Sequence, residues 1–244
     1  MTKNQRTFLA IDIGNSNLKL GLFRNYNLIK WTSHKTGDFV NRSKWPIPLK
    51  GISRIGLASV VPPVTDTVLK KMIGYSVRIV TPENCGVLSR VKEPQKVGID
   101  RLLNVKAAYH LSKTASIVAD IGTAVTVDVC SSQGEFLGGI IMPGPRLWLS
   151  SLTQAVLLPH VSEMGLRGLV GKDTREAIAS GVRYGLAGAI EHTISLLKKH
   201  YRINKVFLTG GGASFYRPLF AFRYIYQPHL TLMGIVLVLR DDEK

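Results

Sequence analysis

Two short stretches of this 244-residue chain place a carboxylate beside a turn built for close approach. DIGNSN (12–17) sets Asp12 ahead of Gly14, where a backbone without Cβ can come near a ligand. Asn15, Ser16 and Asn17 follow, with side chains able to donate hydrogen bonds. DIGTA (120–124) offers Asp120, Gly122 and Thr123 in the same order. Such turns present N–H groups and small hydroxyls to an anion while the carboxylate can hold a cation, which suits a phosphate group and its metal ion. Between them GIDR (98–101) stands at a helix start. Asp100 there can take a proton from a hydroxyl, and Arg101 can offset charge developing on a phosphoryl group. On local sequence alone, an ion pair at the helix start is the simpler reading of Asp100 and Arg101, and either Asp-Ile-Gly turn reads as a structural hairpin.

Other phosphate and metal devices are missing: the chain has no G-x-x-x-x-G-K-[ST], no G-x-G-x-x-G after a strand and no H-E-x-x-H. Two glycine-rich stretches remain, GGIIMPG (138–144) and LTGGGAS (208–214), each readable as a strand running into a loop.

The elements that position these residues follow from a repeat. FLAIDIGNSNLKLGLF (8–23) and SIVADIGTAVTVDVC (116–130) each run from an apolar strand through Asp-Ile-Gly and a small polar turn into a second strand, with the two aspartates 108 residues apart. A third strand is expected after each, over 26–36 and 135–144. Shorter strands are expected at 54–61, 76–80 and 205–211. Helices are expected over 98–113 and 173–201, the second capped by Asp173 or Thr174. Two halves of this pattern predict an α/β protein of two similar domains, 1–115 and 116–244, with a cleft between them.

Composition supports a folded core: 45% of residues are hydrophobic and 20% charged. Lys and Arg number 32 against 16 Asp and Glu, for a formal charge of +16. Residues 1–119 carry +13 of it, which can attract nucleic acid or steer small anions into a cleft. Cys85 and Cys130 are too few for a disulfide framework or a cysteine-based zinc site. The apolar run LTLMGIVLVL (230–239) is about half of what a bilayer span needs. The N-terminal stretch meets Asp12 at once and lacks a cleavage signature, so a cytoplasmic protein with no membrane partner is expected.

Taken in order, DIGNSN, SVVP (59–62), GIDR, DIGTAVT, GGIIMPG, DTREAIASG and LTGGGAS span nearly the whole chain, and as a set they resemble the type III pantothenate kinases. The resemblance implies an α/β fold of actin-like type, as in sugar kinases and Hsp70, with duplicated domains around a nucleotide cleft. It also implies phosphorylation of pantothenate by ATP, the first step of coenzyme A biosynthesis. By it, Asp12, Ile13, Gly14, Asn15, Ser16, Asn17, Leu18 and Lys19 hold the ATP phosphates, with Asp12 close to Mg²⁺, and Thr123 contacts ATP. Gly98, Ile99, Asp100 and Arg101 hold pantothenate, with Asp100 as the base, and Thr174 reaches the same substrate. Asp120 binds the monovalent cation, K⁺ or NH₄⁺, and the chain pairs as a homodimer. Three positions depart from the family pattern: Ser16 where Thr is usual, Val91 where Tyr is common, and Gly212 where Asp is frequent. A competing expectation is a regulatory, nucleic-acid-binding accessory factor on the same fold, motivated by the charge. No helix-turn-helix, zinc finger or aromatic RNA-binding motif supports it, and it gives Asp12, Asp100 and Asp120 no common use.

Overall fold

A computed structural model of the chain describes residues 6–41, 45–155, 161 and 168–242. Its strands are β1 (Thr7–Ile13), β2 (Asn17–Arg24), β3 (Asn27–Lys35), β4 (Arg54–Ser59), β5 (Val77–Val80), β6 (Ser116–Ile121), β7 (Ala124–Cys130), β8 (Phe136–Pro143), β9 (Lys205–Thr209) and β10 (Ile225–Tyr226). Its helices are α1 (Thr36–Val40), α2 (Pro62–Lys70), α3 (Ile99–Ser112), α4 (Pro145–Ala155), α5 (Thr174–Tyr201), α6 (Ala213–Tyr216) and α7 (Leu230–Asp241). The strands form two five-stranded sheets, ordered β3-β2-β1-β4-β5 and β8-β7-β6-β9-β10.

These are one topology written twice. In the first sheet β1 pairs antiparallel with β2 and parallel with β4. In the second, β6 pairs antiparallel with β7 and parallel with β9. The repeat read in the sequence therefore extends to all five strands. β1 and β6 sit centrally, each between one antiparallel and one parallel neighbour, and are buried along nearly their whole length on both faces.

The chain divides into two compact units, Met1–Leu111 with Gly134–Phe136 and His229–Lys244, and Ser112–Gln133 with Leu137–Pro228. In the first, Leu9, Ile11, Leu20, Ile55 and Leu57 form a core with Phe39 and Val68 of α1 and α2. In the second, Ile117, Val127 and Leu208 form a core with Leu186, Ile190 and Ile194 of α5.

The end of the chain differs from the sequence expectation, which gave all of 116–244 to the second domain. The run at 230–239 is the helix α7, and it belongs to the first unit. Small residues make this possible: a Cβ on Gly56 of β4 would lie 2.5 Å from Ile235 Cγ2, and one on Gly21 of β2 would lie 3.0 Å from Leu232 Cδ1. The Thr231 hydroxyl donates to buried Asn104 Oδ1 of α3 at 2.9 Å, and Arg54 donates to the Leu239 carbonyl at 2.6 Å. Local pattern could show an apolar helix but not which sheet it covers. Among the described residues no helix is long and apolar enough to cross a membrane.

Candidate functional site

The first turn is tied from three sides. Gly14 N–H donates to the Asn17 carbonyl at 3.0 Å, closing the hairpin between β1 and β2, and a Cβ on Gly14 would lie 3.1 Å from that oxygen. Thr36, at the start of α1, donates its hydroxyl to the Gly14 carbonyl at 2.7 Å and its N–H to the Ser16 carbonyl at 3.1 Å. Val60 N–H takes the Ile13 carbonyl at 3.0 Å, which fixes the SVVP segment beside the turn. Ile13 and Leu18 are fully buried and anchor the two strand ends, while Asn15 and Asn17 are exposed and Ser16 is half-buried. The loop thus offers its polar side chains outward from a fixed backbone.

Asp12 is buried, 8% exposed, and faces Lys19 directly across the β1–β2 ladder, with Lys19 Nζ 3.9 Å from Oδ2. Two residues that the motif reading passed over stand nearby. His229, just before α7, stacks on Trp31 of β3 with ring centroids 4.5 Å apart. Burial first, and the Lys19 ammonium second, hold the imidazole below its ordinary pKa. The neighbour of Lys19 is therefore neutral at pH 7.

GIDR opens α3 as expected. Gly98 caps the helix with its carbonyl, which accepts from Arg101 N–H at 3.1 Å. A Cβ on Gly98 would lie 2.6 Å from Asp100 Oδ1, so glycine here lets the carboxylate lie back over the helix start. Ile99 is buried and Asp100 half-buried. The Arg101 guanidinium lies 5.1 Å from the centroid of the Phe136 ring. Val91 is half-buried and brings no hydroxyl where the family pattern has Tyr.

The second turn draws three of the sequence motifs to one place. Gly122 N–H donates to the Ala124 carbonyl at 3.0 Å, closing the hairpin between β6 and β7. Gly144, ending GGIIMPG, donates to the Thr123 carbonyl at 3.1 Å, and a Cβ there would collide with the backbone of residues 122 and 123. From LTGGGAS, Gly212 N–H donates to the Ile121 carbonyl at 2.8 Å, as Val60 does to Ile13 in the first half. A Cβ on Gly212 would sit 2.8 Å from Ile121 Cγ2, which explains glycine where Asp is frequent in the family.

Asp120 is half-buried at the end of β6, and the space beside its carboxylate is lined by glycine. A Cβ on Gly122 would lie 3.6 Å from Oδ1, and one on Gly210 would collide with it. Thr123 is exposed at the turn.

Thr174 is exposed at the first position of α5. The helix start is a reciprocal cap: Asp173 accepts from Glu176 N–H at 2.9 Å, and the Glu176 carboxylate accepts from Lys172 N–H at 2.7 Å. Asp12 and Gly98–Arg101 thus belong to the first unit, and Asp120, Thr123 and Thr174 to the second. Among the described residues no group of three His, Cys, Asp or Glu side chains forms a metal cage. One carboxylate per turn fits an ion that shares its coordination shell with phosphate oxygens and water.

The family model for type III pantothenate kinase matches residues 8–196. The type III pantothenate kinase of Desulfosudis oleivorans is 36% identical, over 94% of this chain and 97% of its own. Among solved structures, a protein from Campylobacter jejuni described as a Baf family transcriptional activator superposes with a TM-score of 0.62 at 23% identity, over 96% of this chain and 98% of its own. The (R)-2-hydroxyglutaryl-CoA dehydratase component A of Acidaminococcus fermentans gives 0.59 at 11% identity, over 98% and 100%. Both structures share the duplicated actin-like fold. By sequence along nearly its whole length, this chain belongs to the type III pantothenate kinase family and is a phosphotransferase.

Proposed function

We propose that the chain transfers the γ-phosphoryl group of ATP to the primary hydroxyl of pantothenate with Asp100 as general base. The observation that carries this reading is the matched pair of Asp-Ile-Gly turns at equivalent places in two sheets of one topology, with GIDR opening α3. Residues 12–19 hold the phosphates through exposed Asn15 and Asn17, half-buried Ser16 and the Lys19 ammonium. Neutral His229 leaves that ammonium's charge available to the phosphates. Asp12 is a fitting ligand for Mg²⁺ arriving with the nucleotide, an ion whose contribution is to neutralise phosphate charge. Asp100 accepts the proton as the hydroxyl attacks, and Arg101, steadied on Phe136, binds the acidic substrate. Thr123 reaches the nucleotide and Asp120 holds K⁺ or NH₄⁺.

Homodimerisation is part of the same reading. Ala177, Gly181, Gly185 and Gly188 line an exposed face of α5, and nothing lies within 4 Å of a Cβ built on Gly181 or Gly188. Such a face suits close packing against the same helix of a second copy, bringing its Thr174 to a pantothenate site. Sedimentation at assay concentration is expected to give twice the chain mass; a fully active monomer contradicts it. The cytoplasm, where both substrates occur, is the compartment proposed.

The reading is tested by following ADP release with pantothenate and ATP in K⁺ and in Na⁺ buffers, Mg²⁺ present in both. Turnover in K⁺ that falls at least about tenfold in Na⁺ is expected, the order of effect of losing a well-placed ionic contact. Equal turnover in both buffers contradicts the cation assignment, and no turnover in either contradicts the substrate pair.

A further inference from the structure

We infer that the Thr126 hydroxyl oxygen is a second protein ligand for the cation proposed at Asp120, held as an acceptor by the buried carboxylate of Asp128. The inference rests on the reading that Asp120 holds a monovalent cation, and adds the residues that make the site and fix its charge.

The duplication supplies the first argument. Asp12 and Asp120 occupy the same rung of equivalent hairpins, each followed by Ile-Gly and each paired across an antiparallel ladder. Opposite Asp12 stands Lys19, whose ammonium lies 3.9 Å from the carboxylate. Opposite Asp120 stands Thr126. In the first half the protein places its own ammonium on that rung; in the second the rung carries a hydroxyl. A position filled in its duplicate by an alkylammonium has the charge and size for K⁺ or NH₄⁺, and one carboxylate balances one positive charge.

The second argument concerns which way the hydroxyl points. Thr126 Oγ1 donates to Asp128 Oδ2 at 3.1 Å, two residues along the same face of β7, and Asp128 is completely buried. A buried carboxylate requires hydrogen-bond donors, and a hydroxyl has one proton to give. With that proton committed to Asp128, Thr126 turns only lone pairs toward the rest of its surroundings. A carboxylate and an acceptor hydroxyl paired across one rung of the ladder suit a cation held between them. Asp128 is thus a positioning residue, and Gly122 and Gly210 keep the same space clear of side chains.

Thallium(I), a K⁺ surrogate with an NMR-active nucleus, titrated into the full chain without nucleotide, reads ion affinity apart from activity. Asp120→Asn should lose binding. Thr126→Val should bind about 10- to 100-fold more weakly, the range for removing a group that supports a metal site. Thr126→Ser should stay within about threefold of wild type. Thr126→Lys recreates the Asp12–Lys19 rung, so the folded variant should take up no thallium and melt at the same temperature in K⁺ and Na⁺ buffers. This also serves if the valine variant does not fold. Wild-type affinity in Thr126→Val or Thr126→Lys, with Asp120→Asn having lost it, overturns the inference and leaves Asp120 in place. Wild-type affinity in Asp120→Asn overturns the cation reading itself.

Discussion

Asp100→Asn is expected to lower turnover of pantothenate by about 10²–10⁴-fold, the usual cost of removing a general base. The amide keeps the size of the side chain and its place in the first turn of α3 but cannot accept the substrate proton. Stability should hardly change, because the core around α3 is made by Ile99, Leu102, Leu103 and Val105, none of which the substitution touches. The expected signature is a fall in kcat with little change in KM for ATP, since the ATP-holding turn lies on β1 and β2. Activity within a few-fold of wild type, in a folded variant, removes Asp100 from the base role.

Gly210→Ala is expected to combine a stability loss with loss of the cation effect. Gly210 adopts φ +93°, a region that L side chains rarely enter, and a Cβ there would lie 2.5 Å from the Ile121 carbonyl oxygen and collide with the Asp120 carboxylate. The neighbours in contact are largely backbone of a central strand and cannot turn aside. Backbone strain and overpacking together should cost about 2–5 kcal/mol in urea unfolding. Gly211→Ala is the control: that residue has open space and no positive φ, so its change should stay within about 0.5 kcal/mol. Because the relief available to Gly210→Ala is displacement of Asp120, the folded fraction should also lose its K⁺ response. A variant as stable as Gly211→Ala would show that the loop yields without disturbing β6.

The duplicated hairpins were legible because Asp-Ile-Gly recurs in the same local context, and a strand–turn–strand is a local structure. The helices α3 and α5 were legible from period and caps, Asp173 among them. Long-range partners were not. α7 reads as an isolated apolar run, and its place against β1 and β4 depends on Gly56, a residue about 180 positions away in sequence. His229 and Trp31 carry no motif, and His229 reaches Trp31 and the charge of Lys19 only because α7 returns to the first sheet. Thr126 could have been found: aligning the two hairpins by their ladders sets it against Lys19. The convergence of Gly144 and Gly212 on the DIGTA turn was implicit in three separate glycine motifs, yet only backbone hydrogen bonds between them show why each is glycine.

The central claim is that this chain moves a phosphoryl group from ATP to pantothenate. The most direct measurement is ³¹P NMR of a reaction containing the purified chain, ATP, Mg²⁺, K⁺ and pantothenate. A new phosphomonoester resonance growing in step with ADP, and absent when pantothenate is left out, is the predicted result. ATP left intact, or hydrolysed to inorganic phosphate at the same rate with and without pantothenate, would contradict it.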